Sequence, residues 1–156
     1  MNIRRAQVKD IEKILDLLTQ VNMVHHNARP DLFNGPATKY SKEQLKQMLD
    51  IEDAPIFTAA DEHDEVLGYA FCRTEQITGN KLRTEVKTFY LDDLCVDEKC
   101  RGQHVGKALY DHVIDHARDN GYYNVTLHVW AGNDNAEKFY AARGMKPQFV
   151  CLEQIL

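Results

Sequence analysis

Serine is nearly missing from this chain: Ser41 is the only one among 156 residues. It opens Ser41-Lys42-Glu43-Gln44, the reciprocal pattern of a helix capping box, so a serine nucleophile has no candidate. The four cysteines, Cys72, Cys95, Cys100 and Cys151, include no C-x-x-C pair, which argues against a zinc or thiol-redox site. Three lie in apolar, strand-like contexts, where a buried thiol behaves as a small hydrophobe, and the pattern fits a reducing cytoplasm. A Cys–His nucleophile built on Cys95 or Cys100 stays open, but nothing in the sequence marks either thiol as activated. No apolar run is long enough to cross a bilayer. Met1-Asn2-Ile3-Arg4-Arg5 is basic, yet no apolar stretch follows, so no secretory leader is expected. There is no excess of positive charge either: 24 acidic residues against 19 Lys and Arg give a formal net charge of −5. That leaves no electrostatic footprint for nucleic acid and disfavours docking on anionic lipid. His112 and His116 have i,i+4 spacing but no evident third ligand, so no metal site is expected.

What is present is the pattern of one mixed α/β unit. Hydrophobic content of 44% suffices for a single core over residues 1–156, and no linker or repeat divides the chain. Ile3 to Ala6 reads as a strand. Asp10 is placed to cap a helix whose apolar residues Ile11, Ile14, Leu15, Leu18 and Val21 recur at helical spacing to about His25. Pro30 and Gly35-Pro36 interrupt it, and the Ser41 capping box starts a second helix to about Asp50. Pro55 to Ala60 and Val66 to Thr74 form a hairpin about Asp61–Glu65, with Gly68 marking a bulge or a close approach. Val86 to Val96 is a long strand whose alternation slips by one between Leu91 and Leu94, as a β-bulge requires. A helix from Val105 to about Asn120 carries the stripe Val105, Ala108, Leu109, Val113 and Ala117 and ends at Gly121. A strand from Asn124 to Trp130, a helix from Asn133 to Arg143 and a last strand from Pro147 to Leu156 complete the order β-α-α-β-β-β-α-β-α-β.

The turn Arg101-Gly102-Gln103-His104-Val105-Gly106-Lys107 joins a strand to a helix. The first amides of that helix lack intrahelical partners and sit at the positive end of its dipole. A pyrophosphate suits such a junction, with Gly102 and Gly106 permitting close approach and Arg101 and Lys107 adding charge. The spacing is neither a P-loop nor G-x-G-x-x-G. An ordinary tight connection is the alternative.

Leu91 to Leu109 resembles the central motif of GNAT acetyltransferases: a strand, a short acidic spacer and then an Arg-x-x-Gly-x-Gly-like turn. Asn133, Ala136, Phe139, Tyr140, Gly144 and Met145 resemble the family's downstream helix. His104 departs from the pattern, standing where a glycine is usual. The resemblance implies a mixed, mostly antiparallel central sheet with a bulged fourth strand that splays from the fifth, and helices on its flanks. It implies acetyl-CoA as cosubstrate and direct attack by a primary amine of a small molecule or peptide through a tetrahedral intermediate.

By the same resemblance, the backbone of Leu94 and Val96 holds the pantetheine arm, and the amides from Gln103 to Lys107 hold the pyrophosphate. An amide near Cys95 faces the thioester oxygen. Tyr140 donates a proton to the leaving thiolate, with Phe139 beside it, and Asn133 caps the helix and touches the arm. A base must free the amine, and Asp92 and Asp93 are candidates. Alternation sends the two to opposite faces unless the bulge intervenes. His128 is a second base candidate, and His25, His26 and Arg29 border the acceptor. Each of these has a structural alternative: Tyr140 as core packing, the carboxylates as solvated groups, the histidines as a helix end. The final strand is free to pair across a homodimer. The competing reading is a GNAT-like module that binds an acyl-CoA without transferring it.

Overall fold

The computed structural model describes all 156 residues. At its centre is a five-stranded sheet in the order β1-β2-β3-β4-β5. β1 (Asn2–Arg5), β2 (Ile56–Ala60), β3 (Val66–Gln76) and β4 (Lys87–Val96) pair antiparallel, and β5 (Asn124–Thr126) runs parallel to β4. α1 (Ile11–Ala28) and α2 (Lys42–Met48) follow β1, α3 (Val105–Asp119) follows β4, and α4 (Asp134–Ala141) follows β5. Short 3-10 turns occupy Val8–Asp10 and Glu98–Cys100. No helix is long and apolar enough to cross a membrane.

The two faces of the sheet are covered by different helices. Ile11, Ile14, Leu17 and Leu18 of α1 are all buried against Tyr69, Phe71 and Cys95. On the other face Val105, Leu109, Val113 and Ala117 of α3 meet Phe57, Ala59, Ala70, Cys72, Phe89 and Leu91. Each fully buried aliphatic contributes about 1.5–3 kcal/mol, so packing decides these helices and a cap, near 1 kcal/mol, only adjusts their ends. α2 has the expected capping box: Gln44 N donates to Ser41 Oγ at 3.2 Å, and Ser41 N donates to Gln44 Oε1 at 2.7 Å.

Asp10 does not cap α1. Its buried carboxylate instead takes Arg4 Nη1 at 2.6 Å, Arg4 Nη2 at 3.0 Å and the Gln7 amide at 2.7 Å. A guanidinium fork satisfies a buried carboxylate more fully than one helix amide can.

Two strand predictions need correction. β5 ends at Thr126 rather than at Trp130, and no strand forms between Pro147 and Leu156. Only Asn124, Val125 and Thr126 pair with β4, so residues beyond them have no ladder to continue. The last segment alternates as a strand would, but it forms no ladder with any strand of the sheet, and Phe149, Val150 and Leu152 stay exposed. The element order therefore closes on α4.

Gly68 satisfies both of its expected roles. The β2–β3 register shifts between Ala59 and Ala60, beside the Ala59–Gly68 pair. A Cβ on Gly68 would also lie 2.6 Å from the Cys95 carbonyl oxygen. Only glycine lets β3 lie that close to β4 here.

Candidate active site

The predicted bulge lies in the middle of β4. Phe71 pairs with Asp93 and Cys72 with Leu91, leaving Asp92 as the extra residue. The extra residue overrides simple alternation. Asp92 takes Lys39 Nζ at 2.5 Å and Arg73 Nη1 at 2.6 Å, while Asp93 accepts from the Tyr69 hydroxyl at 2.8 Å. Tyr69 belongs to the cluster beneath α1, and Lys39 lies in the α1–α2 connection. Both carboxylates thus find their partners on the α1–α2 side of the sheet, not on opposite sides.

Their acidities diverge. Burial pushes Asp93 up to about 6, against a smaller downward pull from the Tyr69 hydrogen bond. Asp92 is also pushed upward by burial, but hydrogen bonds from Lys39 and Arg73 outweigh that and leave it below the usual carboxylate range. One carboxylate is therefore poised to exchange a proton near neutrality, and its neighbour is fixed as an anion.

Beside them the sheet opens. β4–β5 pairing covers only Thr88, Phe89 and Tyr90, and from Leu91 to Val96 β4 is held only by β3. Leu94 and Val96 flank this opening on the α3 side. Cys95 points the other way, its Sγ 3.5 Å from the Leu17 carbonyl oxygen. Burial, reinforced by Asp93, pushes the Cys95 thiol up to about 12, so it is not an activated nucleophile.

The turn after β4 is exposed from Arg101 to His104 and enters α3 at Val105. Gly102 has φ +78° and His104 has φ +62°. The left-handed geometry that a glycine would adopt freely is thus imposed on histidine. Ala108 N donates to the His104 carbonyl at 3.0 Å, so the amides of Val105, Gly106 and Lys107 come before the first helical bond. A Cβ on Gly106 would sit 3.4 Å from Val96 and 3.5 Å from Phe139, which puts the ends of β4, α3 and α4 together. Two side chains of the turn are engaged locally: Lys107 Nζ with Asp111 at 2.5 Å, and Gln103 Nε2 with the Lys99 carbonyl at 3.4 Å.

α4 starts as expected, with Asn133 Oδ1 accepting from the Ala136 amide at 3.2 Å. Phe139 and Tyr140 meet edge to face at 5.0 Å. Burial, then the charge of Asp93, holds the Tyr140 phenol well above its ordinary pKa. Tyr140 and Asp93 therefore share one electrostatic field although they lie on different elements.

The four candidates for contact with an acceptor are already in use within the chain. His25 stacks on Phe33 at 5.1 Å, and His26 Nδ1 lies 2.7 Å from the Phe33 carbonyl oxygen. Arg29 pairs with Asp31 at 2.7 Å and with Glu153 at 2.8 Å. His128 lies beyond β5 rather than within it, with Nδ1 3.0 Å from the Tyr90 hydroxyl. Sequence reasoning missed Tyr69, Lys39, Arg73, Phe33 and Trp130, whose ring meets Phe33 at 5.2 Å. The only available signal was the alternation of Tyr69 with Phe71, which gives a face but not a partner.

The model of the acetyltransferase (GNAT) family matches residues 21–145. The chain is 33% identical over 131 residues to a probable N-acetyltransferase, camello, of Xenopus laevis, covering 80% of this chain and 55% of that protein. It therefore spans about half the length of that relative. It is 26% identical over 146 residues to the peptidyl-lysine N-acetyltransferase YjaB of Salmonella typhimurium, covering 94% and 83%. The crystal structure of a mutant of the BH1408 protein of Bacillus halodurans superposes with a TM-score of 0.95 at 29% identity, covering 100% of this chain and 99% of that one. With the family match spanning most of the sheet and both of the later helices, the chain belongs to the GNAT acetyltransferase family.

Proposed function

We propose that this chain transfers the acetyl group of acetyl-CoA to the primary amine of a small molecule or peptide, by direct attack. One observation carries the reading: β4 parts from β5 over Leu91–Val96, beside free α3 amides, with Asp93 and Tyr140 set about the opening. The unpaired backbone edge at Leu94, Cys95 and Val96 suits an amide-bearing arm. The turn Arg101, Gly102, Gln103, His104, Val105, Gly106 and Lys107 suits a pyrophosphate. Asn133 and Phe139 close the far wall. Gly106 lies at the junction of Val96 and Phe139, where the ends of β4, α3 and α4 meet.

When bound, acetyl-CoA supplies an activated acyl group. The remaining roles fall to side chains. Asp93 takes the proton that the attacking amine must lose, directly or through a water. Tyr140 stays a neutral phenol near pH 7 and donates to the departing sulfur. Asp92 takes no proton, because Lys39 and Arg73 hold it ionised, and it serves the acceptor side as a fixed anion. His25, His26, Arg29 and His128 shape the acceptor entrance through Phe33 and Tyr90.

We assign the whole of residues 1–156 to one catalytic domain, working without a metal and in the cytoplasm. The unpaired final segment is suited to pairing across a homodimer. The test is a panel of amines, including lysine peptides, polyamines, aminoglycosides and amino sugars, with release of CoA followed from acetyl-CoA. Amine-dependent release supports the reading. Tight acetyl-CoA binding with no release above hydrolysis for any amine would leave the non-catalytic binding module as the better account.

A further inference from the structure

We propose that Tyr69 is a positioning residue for the reaction, holding one oxygen of Asp93 so that the other faces the amine. The inference rests on the reading of Asp93 as the base. Its geometry is specific. The Tyr69 hydroxyl donates to Asp93 Oδ2 at 2.8 Å. The Tyr69 side chain is fully buried, and its ring meets Phe71 edge to face at 4.9 Å. Phe71 in turn stacks on Tyr40 at 5.7 Å, just before the start of α2. Phe71, itself backed by Tyr40, therefore seats the phenol that holds the carboxylate. A hydroxyl mounted on a strand is a more rigid donor than one on a loop, and precise orientation of a base is worth more than its mere presence.

The bulge makes the contact available. Tyr69 pairs in register with Cys95, and Phe71 with Asp93. In a regular ladder Phe71 would lie opposite Asp92, and Asp93 would turn to the α3 side with Leu91, away from the phenol. Tyr69 itself stays protonated, because burial first and Asp93 second hold it well above its ordinary pKa. It can only donate to Asp93, never accept from it as a phenolate. Of the other groups about Asp93, Lys39 from the α1–α2 connection and the Leu94 amide on β4 favour its charged form and Asp92 opposes it, while Cys95 on β4 and Tyr140 on α4 feel its charge. Of the side chains, the Tyr69 hydroxyl alone donates a hydrogen bond to it, and that bond favours the charged form.

The experiment compares the native protein with Tyr69→Phe, which keeps the packed ring and removes only the donor. Carbon-13 NMR of aspartate-labelled protein follows the Asp93 carboxyl, identified as the resonance lost in Asp93→Asn, through a pH titration. This readout needs no acceptor. The expected result is an upward move of the Asp93 titration by about one pH unit, with a matching rise in the acid limb of kcat/KM for the best amine of the panel and little change in KM for acetyl-CoA. A titration that does not move, in a variant that melts as the native protein does, would overturn the role of Tyr69 while leaving Asp93 as base. A titration that moves while the acid limb stays in place, or full turnover in Asp93→Asn, would overturn the reading of Asp93 and this inference with it. Where Tyr69→Phe fails to fold, the same titration in Phe71→Leu, which loosens the ring that seats the phenol, gives the same decision.

Discussion

The Lys39 ammonium lies 2.5 Å from the Asp92 carboxylate, joining the α1–α2 connection to the bulge of β4. Arg73 holds the other oxygen at 2.6 Å and lies over the Tyr90 ring at 4.1 Å. A loop and the middle of a strand are thereby fixed to one point. The side chain of Asp92 is only 15% exposed, so this pair is less screened than those on the open surface.

Asp92→Asn is expected to loosen the connection on the acceptor side. The KM for the amine should rise about tenfold, while the acid limb of the pH profile stays in place, because Asp92 does not titrate in that range. Steady-state kinetics across pH checks both parts. A shifted acid limb in this variant would transfer the role of base from Asp93 to Asp92.

Tyr140→Phe should lower kcat by about 100-fold and leave acetyl-CoA binding near that of the native protein. The ring still packs against Phe139 and Tyr110, so folding is spared. Calorimetric titration with acetyl-CoA, run beside the turnover assay, separates loss of a proton donor from loss of the site.

His104→Gly removes a side chain from backbone held at φ +62°. The variant should gain about 1 kcal/mol of stability. For a chain of this size that is a rise in Tm of about 2–4 °C, read by a thermal melt. An unchanged or lower Tm would mean that the imidazole contributes more to the turn than its strain costs.

Acid should weaken the fold through α3. His112 meets the Phe57 ring at 4.6 Å, and His116 meets Phe57 at 5.2 Å and Phe89 at 5.1 Å. Burial is the first cause that holds both below the ordinary value of 6.5. In the unfolded chain they take up protons near 6.5, and in the folded chain only at lower pH. The unfolded state therefore binds more protons between those values. The histidine contribution to stability is complete above 6.5 and declines as pH falls below it. Urea melts between pH 5 and 8 read the effect, and His112→Gln with His116→Gln should flatten it.

Local signals in the sequence located much of this. The slip between Leu91 and Leu94 is a fact about neighbouring residues, and it located the bulge because a bulge is itself a local event. Ser41 and Gln44 are three residues apart, and their capping box formed as read. Partners distant in sequence were another matter. Asp10 looked like a cap, but the side chain of Arg4 on the preceding strand folds back to claim it, and Tyr69 had no visible function until register set it against Asp93, 24 residues away. Pro147 to Leu156 alternates correctly, but a strand exists only where another strand offers hydrogen bonds, and alternation carries no information about that.

The opening beside β4 divides that strand into two kinds of backbone. Thr88 to Tyr90 have a neighbour on each edge, whereas Leu91 to Val96 have one. Protection against solvent deuterium should therefore change abruptly within a single strand, at the bulge. Whatever lies along the open edge becomes, for those amides, a missing sixth strand, and its arrival and departure are written in the exchange rates of the protein's own backbone.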